Sequence, residues 1–400
     1  MQQRYIKSNT PKGHYEIIFI PLHTLSLKQH KMSKGIQPII LYDNQIFDIQ
    51  RFGGISRYFC EIIRRLNIKN DIAVRYSINY YLTTYHIGKH RIPLPRFIFK
   101  RYRKACQDKN KKLSKILLSK NHNYLFHPTY YDPYFLEYIG NNPYVITVHD
   151  MIHEKFSSCF SDADEVINQK KEVITHANRI IAISENTKKD IIELLHINPN
   201  KIDVIYHSTS MKAFTGRPNP NIPSKFLLFI GDRTPYKNFN RLIRAFSTLS
   251  KEDKELNLVC TGMPFSKSEK EFIDQLGVTD KIIQIKATDK LLCELYSRAK
   301  LFIFPSLYEG FGIPILEAYA CHCPVALSNA SCFPEIAGDA GIYFDPYSEK
   351  SIIESIREVI YDENKRSSLI QAGNERLKLF SWEKAARLTE RTYLKVITNE

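Results

Sequence analysis

Short apolar runs alternate with amphipathic stretches along most of the chain. In the first half the runs are Ile39 to Tyr42, Ile72 to Ile78, Tyr124 to His127, Tyr144 to Val148, Ile180 to Ile183 and Ile202 to Tyr206. Between them lie segments with helical spacing, such as Ile55 to Leu66 and Ala163 to Ala177. The second half repeats the scheme with Phe226 to Ile230, Leu256 to Cys260, Ile282 to Ile285, Leu301 to Phe304, Val325 to Leu327 and Ile342 to Phe344, separated by helical stretches such as Asn238 to Phe246 and Lys290 to Ala299. The runs are mostly continuous rather than alternating, as expected for strands buried on both faces. Strand–helix alternation of this kind predicts an α/β chain with parallel sheets. Two such halves predict two Rossmann-like domains.

The stretch Ser208 to Ser224 carries Gly216, Pro218, Pro220 and Pro223 among several Asn and Ser, and reads as the join between the halves. The predicted organisation is an N-terminal extension at 1–35, a first domain at 36–210, a linker at 211–224, a second domain at 225–380 and a terminal helix at 381–400. Within the extension, residues 1–31 are basic and fit no later pattern, so translation starting at Met32 is a second reading. Four hundred residues suit two domains. An apolar content of 43% with 25% charged residues is globular and does not indicate disorder. No apolar run approaches the ~20 residues of a membrane helix. The eight cysteines form no Cys-x-x-Cys pair, and several lie in apolar runs, so buried free thiols in a reducing compartment are the simpler reading.

The net charge of +15 favours polyanions or an anionic membrane face. Much of it falls in Arg96 to Lys120, with ten Lys or Arg and the single acid Asp108 among Phe97, Ile98, Phe99, Tyr102, Leu113, Ile116, Leu117 and Leu118. Such a mixture suits an anionic bilayer surface; a solvated helix with one buried stripe is the alternative. No nucleic-acid module accompanies the charge, so nucleic acid is not expected as a partner.

The most informative segment is Phe304-Pro305-Ser306-Leu307-Tyr308-Glu309-Gly310-Phe311-Gly312-Ile313-Pro314-Ile315-Leu316-Glu317. A strand empties into a loop, and Pro314 opens a helix, where its missing N–H costs nothing. Gly310 and Gly312 permit close backbone approach to a ligand. Free amides at a helix start attract phosphate, while Glu309 and Glu317 suit sugar hydroxyls. The combination points to a sugar nucleotide, although Gly-x-Gly alone is better explained by a structural turn.

The whole segment, with Glu317 to Val325 and Phe333-Pro334-Glu335-Ile336-Ala337-Gly338-Asp339-Ala340, resembles the signature of the retaining nucleotide-sugar-dependent glycosyltransferases of family 4. That resemblance implies the two-domain GT-B fold, with parallel sheets facing across a cleft. It covers roughly Ile36 to Ile397, more strongly in the second half. His322 departs from it, because the family usually has Gly there.

Three further segments acquire roles through the resemblance. In Gly231-Asp232-Arg233-Thr234-Pro235-Tyr236-Lys237 two cations follow a strand four residues apart, and the family places a basic pair on the donor phosphates. Read alone, the segment is equally a solvated loop. Gly53 and Gly54, in Arg51-Phe52-Gly53-Gly54-Ile55-Ser56-Arg57-Tyr58, open a helix and match a glycine loop near the donor phosphate and acceptor; a lone Gly-Gly is more often a turn. His149 ends a strand and faces the crevice where such sheets bind ligands, or else is a loop histidine bonded to nearby backbone. His153, four residues on, lacks a third ligand, so no metal pair is read there. Ser184 reads as a helix N-cap.

The expectation is therefore a cytoplasmic, retaining, metal-independent hexosyltransferase, in peripheral contact with the inner membrane face through Arg96–Lys120. Its co-substrate is a nucleoside diphosphate sugar, with mannose suggested, and no further cofactor is expected. The acceptor is a glycan or lipid-linked hydroxyl in surface polysaccharide synthesis. Glu309, His149, Arg233 and Lys237 are the expected catalytic residues. Gly53, Gly54, Arg233, Lys237, Gly310, Phe311, Gly312, Ile313 and Glu317 are the expected donor-binding ones. A GT-B epimerase or phosphorylase, and a non-catalytic nucleotide-sugar-binding protein, are the rival readings.

Overall fold

A computed structural model describes residues 38–120 and 123–398. The extension expected at 1–35 lies outside the described residues. The first half contains strands β1 (Ile39–Tyr42), β2 (Asn70–Ile72), β3 (Tyr124–His127), β4 (Val145–Val148), β5 (Arg179–Ala182) and β6 (Ile202–Val204). They pair in parallel as β2-β1-β3 and β4-β5-β6, and a parallel bridge from Phe126 to Tyr144 joins the two sets. The second half contains β7 (Phe226–Phe229), β8 (Asn257–Thr261), β9 (Ile282–Ile285), β10 (Leu301–Phe304), β11 (Val325–Ser328) and β12 (Gly341–Phe344), all parallel in the order β12-β11-β10-β7-β8-β9. This is the Rossmann strand order read from its far edge.

Central strands such as β7 and β10 are apolar at every position because both faces are covered. Along β7, Phe226 and Leu228 enter one core, while Leu227 and Phe229 enter the core on the opposite face with Leu242, Phe246 and Leu249. Alternate residues of β1 divide likewise, Ile40 and Tyr42 to one side and Leu41 to the other.

One strand differs from its expected position. The run Ile72 to Ile78 supplies only the end of β2, which is Asn70–Ile72. The amides of Arg75 and Tyr76 are taken by the buried side-chain carbonyl of Asn110, at 2.9 Å each, so the chain leaves the sheet there. Asn110 belongs to the helix Arg103–Lys120.

The helix Trp382–Ile397 lies on the first half. Tyr393 Oη meets Tyr42 Oη at 2.7 Å and His127 Nδ1 at 2.6 Å, and Lys395 pairs with Asp203 at 2.6 Å. The chain thus crosses between halves twice, once near Ser208 and once near Phe380; Ser208 Oγ donates to the Phe380 carbonyl.

His322 occupies the position where the family pattern has glycine, and its φ is +56°. It follows the end of the helix Ile313–Ala320. The amide of Cys323 reaches the Ala318 carbonyl at 2.9 Å, and that of His322 reaches Tyr319 at 3.0 Å. This pair of bonds closes a helix with a left-handed residue. The glycine-type backbone is therefore kept with an L side chain in it, and His322 Nδ1 bonds Asn374 Oδ1 at 2.8 Å.

Candidate active site

Ligands of doubly wound sheets bind outside the carboxyl ends of the strands, where the strand order reverses. In the second half that point lies between β7 and β10. The loops leaving these two strands carry Gly231 to Lys237 and Pro305 to Gly312. From the first half, the loop before the helix Gly54–Ile63 and the residues after β4 face them.

Contacts between the halves are direct. A Cβ built on Gly310 would collide with the His149 carbonyl oxygen, and its next neighbours are the His149 carbonyl carbon and Asp150 Cβ. Gly310 therefore has to lack a side chain for this approach. Its carbonyl accepts from Ser184 Oγ at 2.7 Å and Thr187 Oγ1 at 3.2 Å. Ser184 also caps its own helix by accepting from the Thr187 amide. The Glu335 carboxylate accepts from the amides of Glu185 at 2.6 Å and Asn186 at 3.1 Å, so an acid of one half satisfies a helix start of the other. Tyr308 Oη donates to Asp190 at 2.5 Å.

Glu309 and Glu317 are both buried. Lys237 Nζ donates to Glu309 Oε1 at 2.7 Å. Burial works against the Lys237 charge, yet the Glu309 carboxylate beside it, with Tyr236 and Asp232, holds the ammonium above its ordinary range. Glu317 accepts from Arg57 Nη1 at 3.2 Å and from Tyr296 Oη at 3.4 Å. Burial pushes its carboxyl up, and Arg57 opposes that shift.

Gly312 has φ +88°, a conformation glycine adopts freely, and stands just ahead of Ile313 and Pro314 at the helix start. A Cβ on Gly54 would lie 3.7 Å from Ile313 Cδ1. Two helix starts therefore face one another across the cleft. Gly53 precedes the first of them, and the Phe311 ring is buried against His207 and Phe380.

His149 is buried between Tyr58 and Phe59 and near His207, with its Nε2 unpartnered. Burial, with His127 and Lys170 adding to it, lowers its pKa to about 3, so the ring is neutral.

The structure splits the expected cation pair. Lys237 points to Glu309, whereas Arg233 donates to Glu269 at 2.5 Å and to the carbonyls of Met263 and Pro264, over the ring of Phe265. The capping acid of the helix Lys267–Gln275 attracts the guanidinium, leaving Arg233 Nη1 buried and unpartnered. Arg57 and Tyr296 at Glu317, and Ser184 and Thr187 at Gly310, went unassigned as site residues in the sequence. Arg57 stands in the glycine-loop segment, but nothing in the segment says which way the side chain turns.

This arrangement unites two carboxylates, two cations and two facing helix starts in a cleft between Rossmann-like halves, the layout of an enzyme of the GT-B type. The model for "Glycosyl transferases group 1" matches residues 211–376, and that for "Glycosyltransferase Family 4" matches residues 52–210. The O-antigen chain mannosyltransferase B of Escherichia coli is 30% identical over 292 residues, which are 68% of this chain and 74% of that protein. The sucrose-phosphate synthase of Thermosynechococcus elongatus superposes with a TM-score of 0.70 at 19% identity, over 91% of this chain and all of the other. HepE of Anabaena, solved with UDP and glucose, gives 0.68 at 17% identity, covering 90% and 99%. The chain belongs to the group 1 glycosyltransferases.

Proposed function

We propose that the protein is a retaining hexosyltransferase that moves a sugar, mannose by analogy with the O-antigen enzyme, from a nucleoside diphosphate to a glycan or lipid-linked hydroxyl in surface polysaccharide synthesis. The observation that carries this reading is the pair of buried carboxylates, Glu309 and Glu317, flanking a glycine-led helix start, with Lys237 on one and Arg57 on the other. Glu317 is assigned to the nucleotide ribose and Glu309 to donor-sugar hydroxyls. The amides of Phe311, Gly312 and Ile313 take the diphosphate together with Lys237. Gly53 and Gly54 close on it from the first half. Arg233 joins only by leaving Glu269, so Lys237 carries the larger share.

In the proposed step the bond from the anomeric carbon to the diphosphate breaks with its electron pair leaving on phosphate. The acceptor oxygen bonds to that carbon on the same face, and its proton passes to the departing phosphate oxygen. Fixed cations and amides aimed at a charge that develops in the transition state are the largest single contribution in many enzymes. Lys237 and the amides supply this without a metal ion. His149, neutral and with Nε2 open, is assigned a hydrogen bond to the donor sugar. No group here needs to act as a covalent nucleophile. A peripheral position on an anionic membrane face, through Arg96–Lys120, belongs to the same proposal. Phe97 is 73% exposed there, and Arg103 bonds the Asp48 carbonyl beside the glycine loop.

The test is transfer from a panel of nucleoside diphosphate sugars, ranked by the thermal stabilisation each gives. Lys237→Ala is expected to lower turnover by at least ~10²-fold, with chelator leaving the wild type unaffected. Full turnover in the variant would remove the diphosphate role, and loss restored by added metal would overturn metal independence. A sugar-nucleotide epimer formed without any acceptor would replace transfer with isomerisation.

A further inference from the structure

We propose that Arg57 is a positioning residue for Glu317, supplied from the opposite half of the molecule, so that the nucleotide ribose is gripped only when the two halves are together. The inference rests on the assignment of Glu317 to the ribose and goes beyond it. Arg57 lies on the helix Gly54–Ile63, one turn past the glycine loop, and its side chain is only 14% exposed. The partner it reaches is 260 residues away in the chain, on a helix that belongs to the other sheet. Arg57 Nε is buried without a partner, so the guanidinium has a donor to spare beside the carboxylate.

The surroundings make that cation consequential. The helix Asp289–Arg298 presents Tyr296 to the second oxygen of Glu317 and Asp289 nearby. The helix Tyr80–Thr84 presents Tyr81, with Tyr85 just beyond it, to Arg57. Along its own segment Glu317 sees the Cys321 thiol. These neighbours are acidic or neutral, and burial itself favours the protonated acid. Arg57 is the largest influence opposing them, and the Tyr296 hydrogen bond adds to it. A carboxylate accepts hydrogen bonds from hydroxyls about twice as strongly as its neutral acid, so an ionised Glu317 is the form that holds ribose.

The test is donor KM against pH for the full chain, with UDP- and GDP-hexoses as donors and UDP and GDP as binding probes. Arg57→Met is expected to raise donor KM about tenfold near neutral pH, the order of losing one charge-assisted hydrogen bond at the site, with kcat changed less. The defect should shrink as the pH rises and Glu317 ionises unaided. Arg57→Lys should restore most of the affinity. In a Glu317→Gln background the Arg57→Met change should add no further pH dependence, a comparison that holds if the single variant folds poorly. A KM defect that is flat with pH, or no defect at all, overturns the inference while leaving the glycosyltransferase reading intact. Failure of every nucleotide to bind the wild type would remove both.

Discussion

Gly310 offers a way to part the halves without injuring either. An alanine Cβ there would fall about 1 Å inside the 3.0 Å that real Cβ atoms keep from their neighbours. The three atoms it meets, His149 O, His149 C and Asp150 Cβ, all belong to the first half, and two of them are backbone that cannot swing aside. Gly310 is not among the residues with positive φ, so alanine brings no backbone strain of its own. The relief available is separation of the halves by about 1 Å, which loosens the Ser184 and Thr187 bonds to the Gly310 carbonyl, the Tyr308–Asp190 bond and the Arg57–Glu317 pair. The two neutral hydrogen bonds are worth about 1–3 kcal/mol together and each of the two charged contacts about 1.5–3 kcal/mol; all of them lie between the halves, so each half should keep its own fold. A misplacement of about 1 Å at a reacting centre costs roughly 10²-fold in rate. Gly310→Ala should therefore lose about two orders of magnitude in turnover, keep its far-ultraviolet circular dichroism and show a small increase in scattering radius. Turnover within threefold of the wild type would refute the idea that this close approach is part of the working site.

Two other perturbations address separate parts of the molecule. His127 is buried, bonded to Tyr393 and Thr147, and burial lowers its pKa from 6.5 to about 3. Such a base binds fewer protons folded than unfolded between those values, so its contribution is complete above pH 6.5 and is lost as the pH falls, by up to about 1.4 kcal/mol per unit. Asp48, raised by burial to about 7, opposes the trend, so the readout is the difference in stability slope between wild type and His127→Gln below pH 6.5; parallel curves would contradict it. For the membrane surface, flotation with phosphatidylglycerol vesicles should capture the wild type and fail with phosphatidylcholine. Phe97→Ser with Lys100→Glu should weaken capture several-fold, since each cation near such a surface is worth about 1 kcal/mol; equal flotation on both lipids would count against it.

The architecture was legible because strands buried on both faces have a distinctive composition. Leu301 to Phe304 and Phe226 to Phe229 are apolar at every position, and no helix period competes with them. The loop after β10 was legible for another reason, that glycine, proline and carboxylate at fixed offsets leave few alternatives. What stayed hidden was pairing at a distance. Asn110 ends β2 from more than thirty residues away, and its own helix gives no sign of it. Arg233 looks like a partner for Lys237 by spacing, but Glu269 lies 36 residues on and competes for it. At His322 the sequence misleads in the opposite direction. A histidine suggests that the positive-φ turn is gone, yet the hydrogen bonds of Cys323 and His322 to the preceding helix hold it, against about 1–2 kcal/mol of steric cost.

The charge arrangement also bears on what the cleft will accept. Both cleft carboxylates are already neutralised, Glu309 by Lys237 and Glu317 by Arg57, and breaking a buried pair by removing one member costs roughly 3–5 kcal/mol. Free phosphate could take Lys237 but would strand Glu309, and a free sugar could take Glu309 but would strand Lys237. On the proposed assignment, a nucleoside diphosphate sugar brings an anion for the cation and hydroxyls for the carboxylate in one molecule. It replaces each partner as it separates the pair, so neither charge is left uncompensated. Selectivity for the intact donor over its fragments then follows from the pairing itself, before any contact with the base is considered.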